Sequence, residues 1–228
     1  PYYPEHIEAM EDYIVDNKYV EFKVTVPDKM PERYAKIAQM VAKRYNLKIK
    51  KLTKKDIFQG GYGQRIFQLI NETYKDLYGF SELTHRQIDQ YVDMYLKLAD
   101  LNLITVIEDG NQGDKLAGLG ITIPSLAKAL QKCHRGRLFP FGWWHVLRAI
   151  KFHKTEGVDL LLIGFLPEYR AKGANALLFY DLIPRYQEYG FKWGETQVEM
   201  ETNSNVQGQW DAFETHLHKR RKCYKKFI

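Results

Sequence analysis

Residues 158–165 (VDLLLIGF) constrain this chain more than any other stretch. Apart from Asp159 the run is apolar or glycine, it is far too short to cross a bilayer, and Pro167 stops it. A run of this kind is a central strand with both faces covered. Directly after it come Leu166-Pro167-Glu168-Tyr169-Arg170-Ala171-Lys172-Gly173-Ala174-Asn175, then Leu177, Leu178, Leu182 and Tyr186 at helical spacing. The chain therefore delivers a turn of small residues from a buried strand to a helix N-terminus. Unpaired N–H groups and the positive end of the helix dipole make such a place an anion site. Gly173 permits close backbone approach, and Arg170 and Lys172 add positive charge. On these residues alone, a solvated basic turn behind a core strand explains the pattern equally well.

The rest of the chain alternates helices and strands. Residues 4–14 read as a helix, 19–26 as a strand, and Pro31 heads a helix to 45 with Ile37, Met40, Val41 and Tyr45 as its apolar stripe. A strand at 48–52 and the break Gly60-Gly61-Tyr62-Gly63 precede a helix at 64–78. Thr84-x-x-Gln87 is a capping box that opens a helix to about 99. Strands at 103–108 and 115–123 form a hairpin, and short helices follow at 126–132 and 143–153. After the helix at 174–189, which Pro184 should kink, come a strand at 196–201, a helix at 206–216 and a strand at 222–227. The expected class is α+β, a mixed central sheet flanked by helices.

Arg170-x-x-Gly173-x-Asn175 resembles the Arg/Gln-x-x-Gly-x-Gly/Ala pyrophosphate loop of the GNAT superfamily of acyl-CoA N-acyltransferases, and residues 158–166 look like its fourth strand. The order of elements from residue 46 onward matches as well. Gly136 to Pro140 and the loop from Gly79 to Thr84 are similar to segments of longer, two-unit bacterial GNAT-like proteins. The resemblance implies a remnant of an upstream unit plus a linker helix at 1–45, and a complete GNAT-like domain at 46–228. It implies acetyl-CoA or another acyl-CoA as co-substrate, held by Phe165, Leu166, Arg170, Ala171, Lys172, Gly173, Ala174 and Asn175, with Asn205 beyond the fifth strand. Asn175 departs from the pattern; its tolerance of positive φ would let the turn survive, although its side chain would crowd a pyrophosphate.

Amide formation by direct attack needs a base for the amine and an acid for the departing thiolate. Asp159 on the buried strand is the leading base, with Glu199 and Glu201 on the next strand as alternatives. At the positions where the family often has a tyrosine acid stand Trp210 and Phe213, so no matched acid is present. The basic run His216-x-His218-Lys219-Arg220-Arg221-Lys222 suits a phosphate, an acidic substrate or nucleic acid, but reads better as a solvated helix end feeding an edge strand guarded by lysines. Trp143, Trp144, Phe139 and Phe141 suit either an acceptor pocket or the core.

With 34 Lys and Arg against 28 Asp and Glu, the net charge of +6 is mild for a dedicated nucleic-acid binder. Cys133 and Cys223 have no metal-ligand spacing, so neither a disulfide scaffold nor a metal is expected. The expectation is a cytoplasmic acyltransferase acting on a small-molecule or protein amine, with no membrane and no nucleic acid as partner and with room for a homodimer. An aminoacyl-tRNA-dependent transferase of the peptidoglycan-bridge type and a non-catalytic binding module of the same fold are the alternatives.

Overall fold

One eight-stranded sheet organises the computed structural model, which describes residues 2–226 apart from the side chain of Asn205. Its order is β2 (Leu47–Lys50), β3 (Ile104–Asp109), β4 (Lys115–Pro124), β5 (Gly157–Phe165), β6 (Trp193–Thr196), β1 (Tyr13–Thr25) and β7 (Glu199–Met200). The last strand, β8 (Thr215–Lys226), pairs along β1. Strands β5 and β6 run parallel, and the remaining pairs are antiparallel. The mixed sheet expected from the sequence is present. Residues 13–25, expected to be left from an upstream unit, are inside this same sheet between β6 and β8.

The apolar run at 158–165 is covered on both faces, as its composition requires. A Cβ on Gly164 would point at Thr73 and Tyr74 of α4 (Tyr62–Tyr74), whereas one on Gly120 would point at Leu178 and Leu182 of α9 (Asn175–Tyr189). Gly120 lies opposite Ile163 and Leu119 opposite Gly164, so the two helices sit on opposite sides of the sheet. Helix α2 (Glu32–Tyr45) adds a further layer over α9, with Tyr34 against Phe179 at 6.1 Å. Its buried stripe is Tyr34, Ala38 and Val41, and Met40, assigned inward by its spacing, is exposed.

Most boundaries lie close to those the pattern suggests, and the differences have local causes. Thr84 and Gln87 do form the capping box of α5 (His85–Tyr91), but the helix widens into a π turn at Val92–Leu96 before it ends. A second capping box, Thr53 with Asp56, opens α3 (Lys54–Phe58), which spacing alone does not reveal because the helix is so short. The helix expected at 206–216 is only α10 (Ser204–Gln207) and a 3-10 turn to Trp210. Trp210 is buried against Phe179 at 5.4 Å, so the apolar spacing belongs to a folded loop.

The basic C-terminal run is one long strand. Its cations meet acids on or near β1: Arg221 pairs with Glu21 at 2.6 Å, Arg220 with Glu201 at 2.5 Å and Lys225 with Asp16 at 2.6 Å. The polar alternation that resembled a helix end is the ladder of an exposed edge. Between β4 and β5 the chain makes an excursion through α6 (Ala127–Gln131) and α7 (Gly142–Phe152), closed at its base by the Ser125 N–H donating to the Gly157 carbonyl at 2.8 Å.

Candidate active site

The site is built where β5 loses its neighbour. A bulge marks the place: Ile121 faces Leu162 while Thr122 faces Leu160, leaving Leu161 as the extra residue. Pairing between β5 and β6 runs only from Gly157 and Trp193 to Leu160 and Thr196. Beyond Thr196 the chain leaves β5 but keeps its course along β1: residues 197–198 interrupt the ladder with a one-residue shift of register, and β7 resumes it with Glu199 opposite Val20. Half of β5 therefore has a bare edge in the middle of a sheet.

Backbone alternation decides what that edge offers. The Leu166 N–H donates to the Ala117 carbonyl at 3.0 Å, which turns Leu166, Gly164 and Leu162 toward β4 and leaves Ile163 and Phe165 facing the gap. Side chains of the protein meet both. The Tyr74 hydroxyl accepts from the Ile163 N–H at 3.1 Å and donates to the Ile163 carbonyl at 3.0 Å. Burial pushes the Tyr74 phenol up to about 12, against the pull of its bond to the Ile163 backbone. Arg170 donates from Nε to the Phe165 carbonyl at 3.0 Å and from Nη2 to the Thr73 carbonyl at 2.9 Å. The arginine expected to meet a phosphate instead ties β5 to the end of α4, although its charge stays beside the turn.

On the other wall of the gap is Glu199. Burial raises its carboxyl to about 7, against the opposing influence of the Trp210 indole and the Thr196 hydroxyl. Trp210 donates from Nε1 to Glu199 Oε1 at 3.0 Å, and Oε2 is buried with no hydrogen-bond partner among the described residues. The carboxylate is close enough to Tyr74 to contribute to the rise of the phenol. A carboxyl with one oxygen fixed, the other unpartnered and a proton exchanged near neutrality is equipped for general-base work.

Asp159 occupies the still-paired half of β5. It lies beside Glu195 in register, and burial raises its carboxyl against the pull of the Ser125 hydroxyl. Glu195 is itself engaged by Lys219. Asp159 thus faces the root of the α6–α7 excursion, while Glu199 faces the gap. Glu201, the third carboxylate considered, is taken up by Arg220.

The turn itself has the backbone of an anion cradle. Gly173 adopts φ 72°, the left-handed region, and α9 begins two residues later. Asn175 is the first residue of that helix and is not called on to adopt positive φ; the conformational burden expected of it falls on Gly173. Ala174 is fully buried and Ala171 exposed, while Lys172 holds its ammonium over the rings of Tyr169 and Tyr45 at 4.6 and 5.0 Å. Phe165 and Leu166 are buried strand-end residues. Small residues and the leading N–H groups of a fifteen-residue helix fit a diphosphate held by backbone. The Asn205 side chain lies outside the described residues, and neighbouring Asn203 caps α10 by accepting from the Val206 N–H at 3.3 Å. Beside Leu166 opens a cleft of about 840 Å³ whose polar walls include Arg65, Glu72, Lys75 and Lys115.

Among the described residues no group of three His, Cys, Asp or Glu side chains is placed to hold a metal, and no helix is long and apolar enough to cross a membrane. Cys133 is buried, Cys223 is exposed, and both are free.

Sequence signals for Glu199 and for Gly173 existed, a carboxylate on the following strand and a glycine before a helix. Tyr74 had none, because its partner Ile163 is 89 residues away in the chain.

No protein-family model matches the chain. A bacterial ceramide synthase from Caulobacter vibrioides is 21% identical over 138 residues, 60% of this chain and 35% of that protein. Among solved structures, a GCN5-related N-acetyltransferase from Sphaerobacter thermophilus superposes with a TM-score of 0.58 at 11% identity, over 98% of this chain and 56% of that one. The GCN5-related glucosamine N-acetyltransferase region of a fungal multi-domain GH3 beta-N-acetylglucosaminidase gives 0.58 at 8% identity, over 96% of this chain and 22% of that one. The chain thus spans about a third of the curated relative it matches. Two strands that part behind a bulge, with a small-residue turn leading into the helix after the first of them, are features of the domain that superposes on these structures nearly end to end, and the chain has the GCN5-related N-acetyltransferase (GNAT) fold.

Proposed function

We propose that the domain is an acyl-CoA-dependent N-acyltransferase in which Glu199 is the general base. The observation that carries this reading is the Glu199 carboxyl at the parting of β5 and β7, raised to about 7 with Oε2 buried and unpartnered among the described residues. The donor thioester supplies an activated acyl carbon. Backbone N–H groups at residues 173–175, with the charges of Arg170 and Lys172, are suited to its diphosphate. The amine nitrogen forms a bond to that carbon as the C–S bond breaks. Its proton passes to Glu199 Oε2, and the thiolate leaves to take a proton of its own. Asp159, half a strand away, is assigned to acceptor binding rather than to proton transfer.

The name of the curated relative suggests the acceptor class, since a ceramide is the amide of a long-chain amino alcohol. An amine on a long alkyl chain is accordingly the first acceptor to try. The test is release of free thiol from acyl-CoA donors of several lengths in the presence of long-chain and short-chain amines. Wild-type protein should release thiol with a rate that rises through about pH 7, and Glu199→Gln should abolish that rise.

One observation favours a second reading. Tyr74 and Arg170 satisfy the strand edge that a donor's amide groups would otherwise meet, as expected of a domain that kept the fold and closed the slot. Failure to bind any acyl-CoA would select that reading.

A further inference from the structure

The excursion between β4 and β5 is unlike the rest of the surface. From residue 126 to 154 the chain has seven Lys and Arg and no Asp or Glu, in a protein whose overall charge is nearly balanced. All seven are exposed, and among the described residues only Lys128 has an acidic partner, Glu156, which lies outside the segment. The equally basic strand β8 differs: its cations meet Glu8, Asp12, Asp16, Glu21 and Glu201.

Large apolar groups are exposed in the same segment. Phe139 and Phe141 at the tip are each 77% accessible, and Leu138 beside them is 45% accessible. Helix α7 buries Ala149 and turns the opposite way with Trp144, Arg148, Lys151 and Phe152, while Trp143 stands near the tip. Trp143 and Trp144 meet edge to face at 5.8 Å, and Trp144 reaches Phe152 at 6.5 Å, so the aromatic rings form one connected strip. The excursion is held firmly at its far end. His153 stacks on Tyr189 at 3.8 Å and shares Asp100 with it, each at 3.0 Å, and Cys133 packs at the turn beneath Gly142. A rigid projection that exposes phenylalanine and tryptophan among unpaired cations costs solubility unless something covers it.

The geometry points to a peripheral membrane contact: the α6–α7 excursion seats Phe139, Phe141 and the α7 aromatic strip in the headgroup region of a bilayer bearing anionic phospholipid. Tryptophan and phenylalanine partition to that depth, and each Lys or Arg near the surface adds attraction to negative headgroups. A purely apolar partner surface would leave six of the seven cations uncompensated, and a nucleic acid would not require exposed phenylalanines at the tip. The inference concerns the surface alone and stands whether or not the domain transfers acyl groups. It also replaces the expectation of no membrane partner, which rested on the lack of a spanning segment and did not bear on surface contact.

The test is co-sedimentation of the protein with phosphatidylcholine vesicles, with and without phosphatidylglycerol as about a third of the lipid, at low and high salt. Binding is expected only to the anionic vesicles and should weaken with salt. Phe139→Ser with Phe141→Ser, and separately Arg135→Glu with Arg137→Glu, should each weaken it by about tenfold or more. These side chains are exposed, so unchanged circular dichroism and thermal unfolding will show that the variants fold. Tryptophan emission should shift to the blue on binding and fail to shift in Trp143→Ser with Trp144→Ser. Absence of binding to anionic vesicles, or binding indifferent to both pairs of substitutions, would overturn the proposal. So would sedimentation showing that the same substitutions convert a dimer to a monomer while vesicle binding is nil.

Discussion

The hydroxyl of Tyr74 stands where the next strand would be for Ile163, accepting its N–H at 3.1 Å and donating to its carbonyl at 3.0 Å. One phenol on α4 thereby does for a single residue what a β-ladder does for a strand, at the point where the central sheet divides. The arrangement lets β5 part from β6 without leaving Ile163 N–H and C=O unpaired in the interior, a condition that buried backbone rarely tolerates.

Tyr74→Phe should therefore destabilise the protein out of proportion to the loss of one hydroxyl. Both backbone groups of Ile163 lose their partner, which at about 1–3 kcal/mol for an unsatisfied buried group is a measurable loss. Chemical denaturation should report a reduced midpoint with an unchanged slope. An unchanged midpoint would show that water replaces the hydroxyl freely and that the gap is wetter than the burial of Tyr74 indicates.

Glu199 makes stability depend on pH in a predictable direction. Its folded value of about 7 lies above the 4.5 of an unperturbed glutamate. Between those two values the folded protein keeps a proton that the unfolded chain has lost. Stability should thus fall as pH rises from about 4.5 through about 7, by something on the order of 3 kcal/mol. Glu199→Gln should flatten that part of the profile and leave the protein more stable than wild type at pH 8. Denaturation at pH 5 and pH 8 for both proteins checks this.

Arg170 supports structure as well as charge. Arg170→Lys keeps the charge but cannot span the Phe165 and Thr73 carbonyls, and should cost about 1–2 kcal/mol in stability even without any ligand. If Arg170 served only to bind phosphate, the lysine variant would unfold at the wild-type midpoint.

Gly173→Ala tests the turn. Its φ of 72° is strained for a residue with a Cβ, while the nearest atoms, on Val41 and Ile37, are 3.8 and 3.9 Å from that Cβ position. The expected cost of about 1–2 kcal/mol is thus backbone strain and not a clash, and Gly173→Asn should recover part of it. Equal loss in both variants would point to crowding instead.

Much of this architecture can be read from residue order. The apolar run at 158–165 and the periodic leucines after Gly173 specify a central strand and its following helix, because burial on two faces and on one face leave different patterns. The capping box at Thr84 is equally local. What could not be read depends on contacts distant in the chain. The full extent of β8 was hidden because its residues are polar at nearly every position, and the acids that explain them lie on β1 and α1 (Tyr3–Glu8), about two hundred residues earlier. Glu199 was recognisable as one carboxylate among three. Its distinction from Asp159 and Glu201 came only with burial, the Trp210 indole and an oxygen without a partner.

The measurement that bears most directly on the central claim is calorimetric titration of the protein with an acyl-CoA, beside the Gly173→Glu variant. The account predicts saturable binding to wild type, and a loss of at least tenfold when a carboxylate is placed in the turn. Folding of the variant should be checked by circular dichroism. No heat and no thermal shift with wild type at millimolar acyl-CoA would contradict the account, and would mean that Tyr74 and Arg170 hold the parted strands closed to donors.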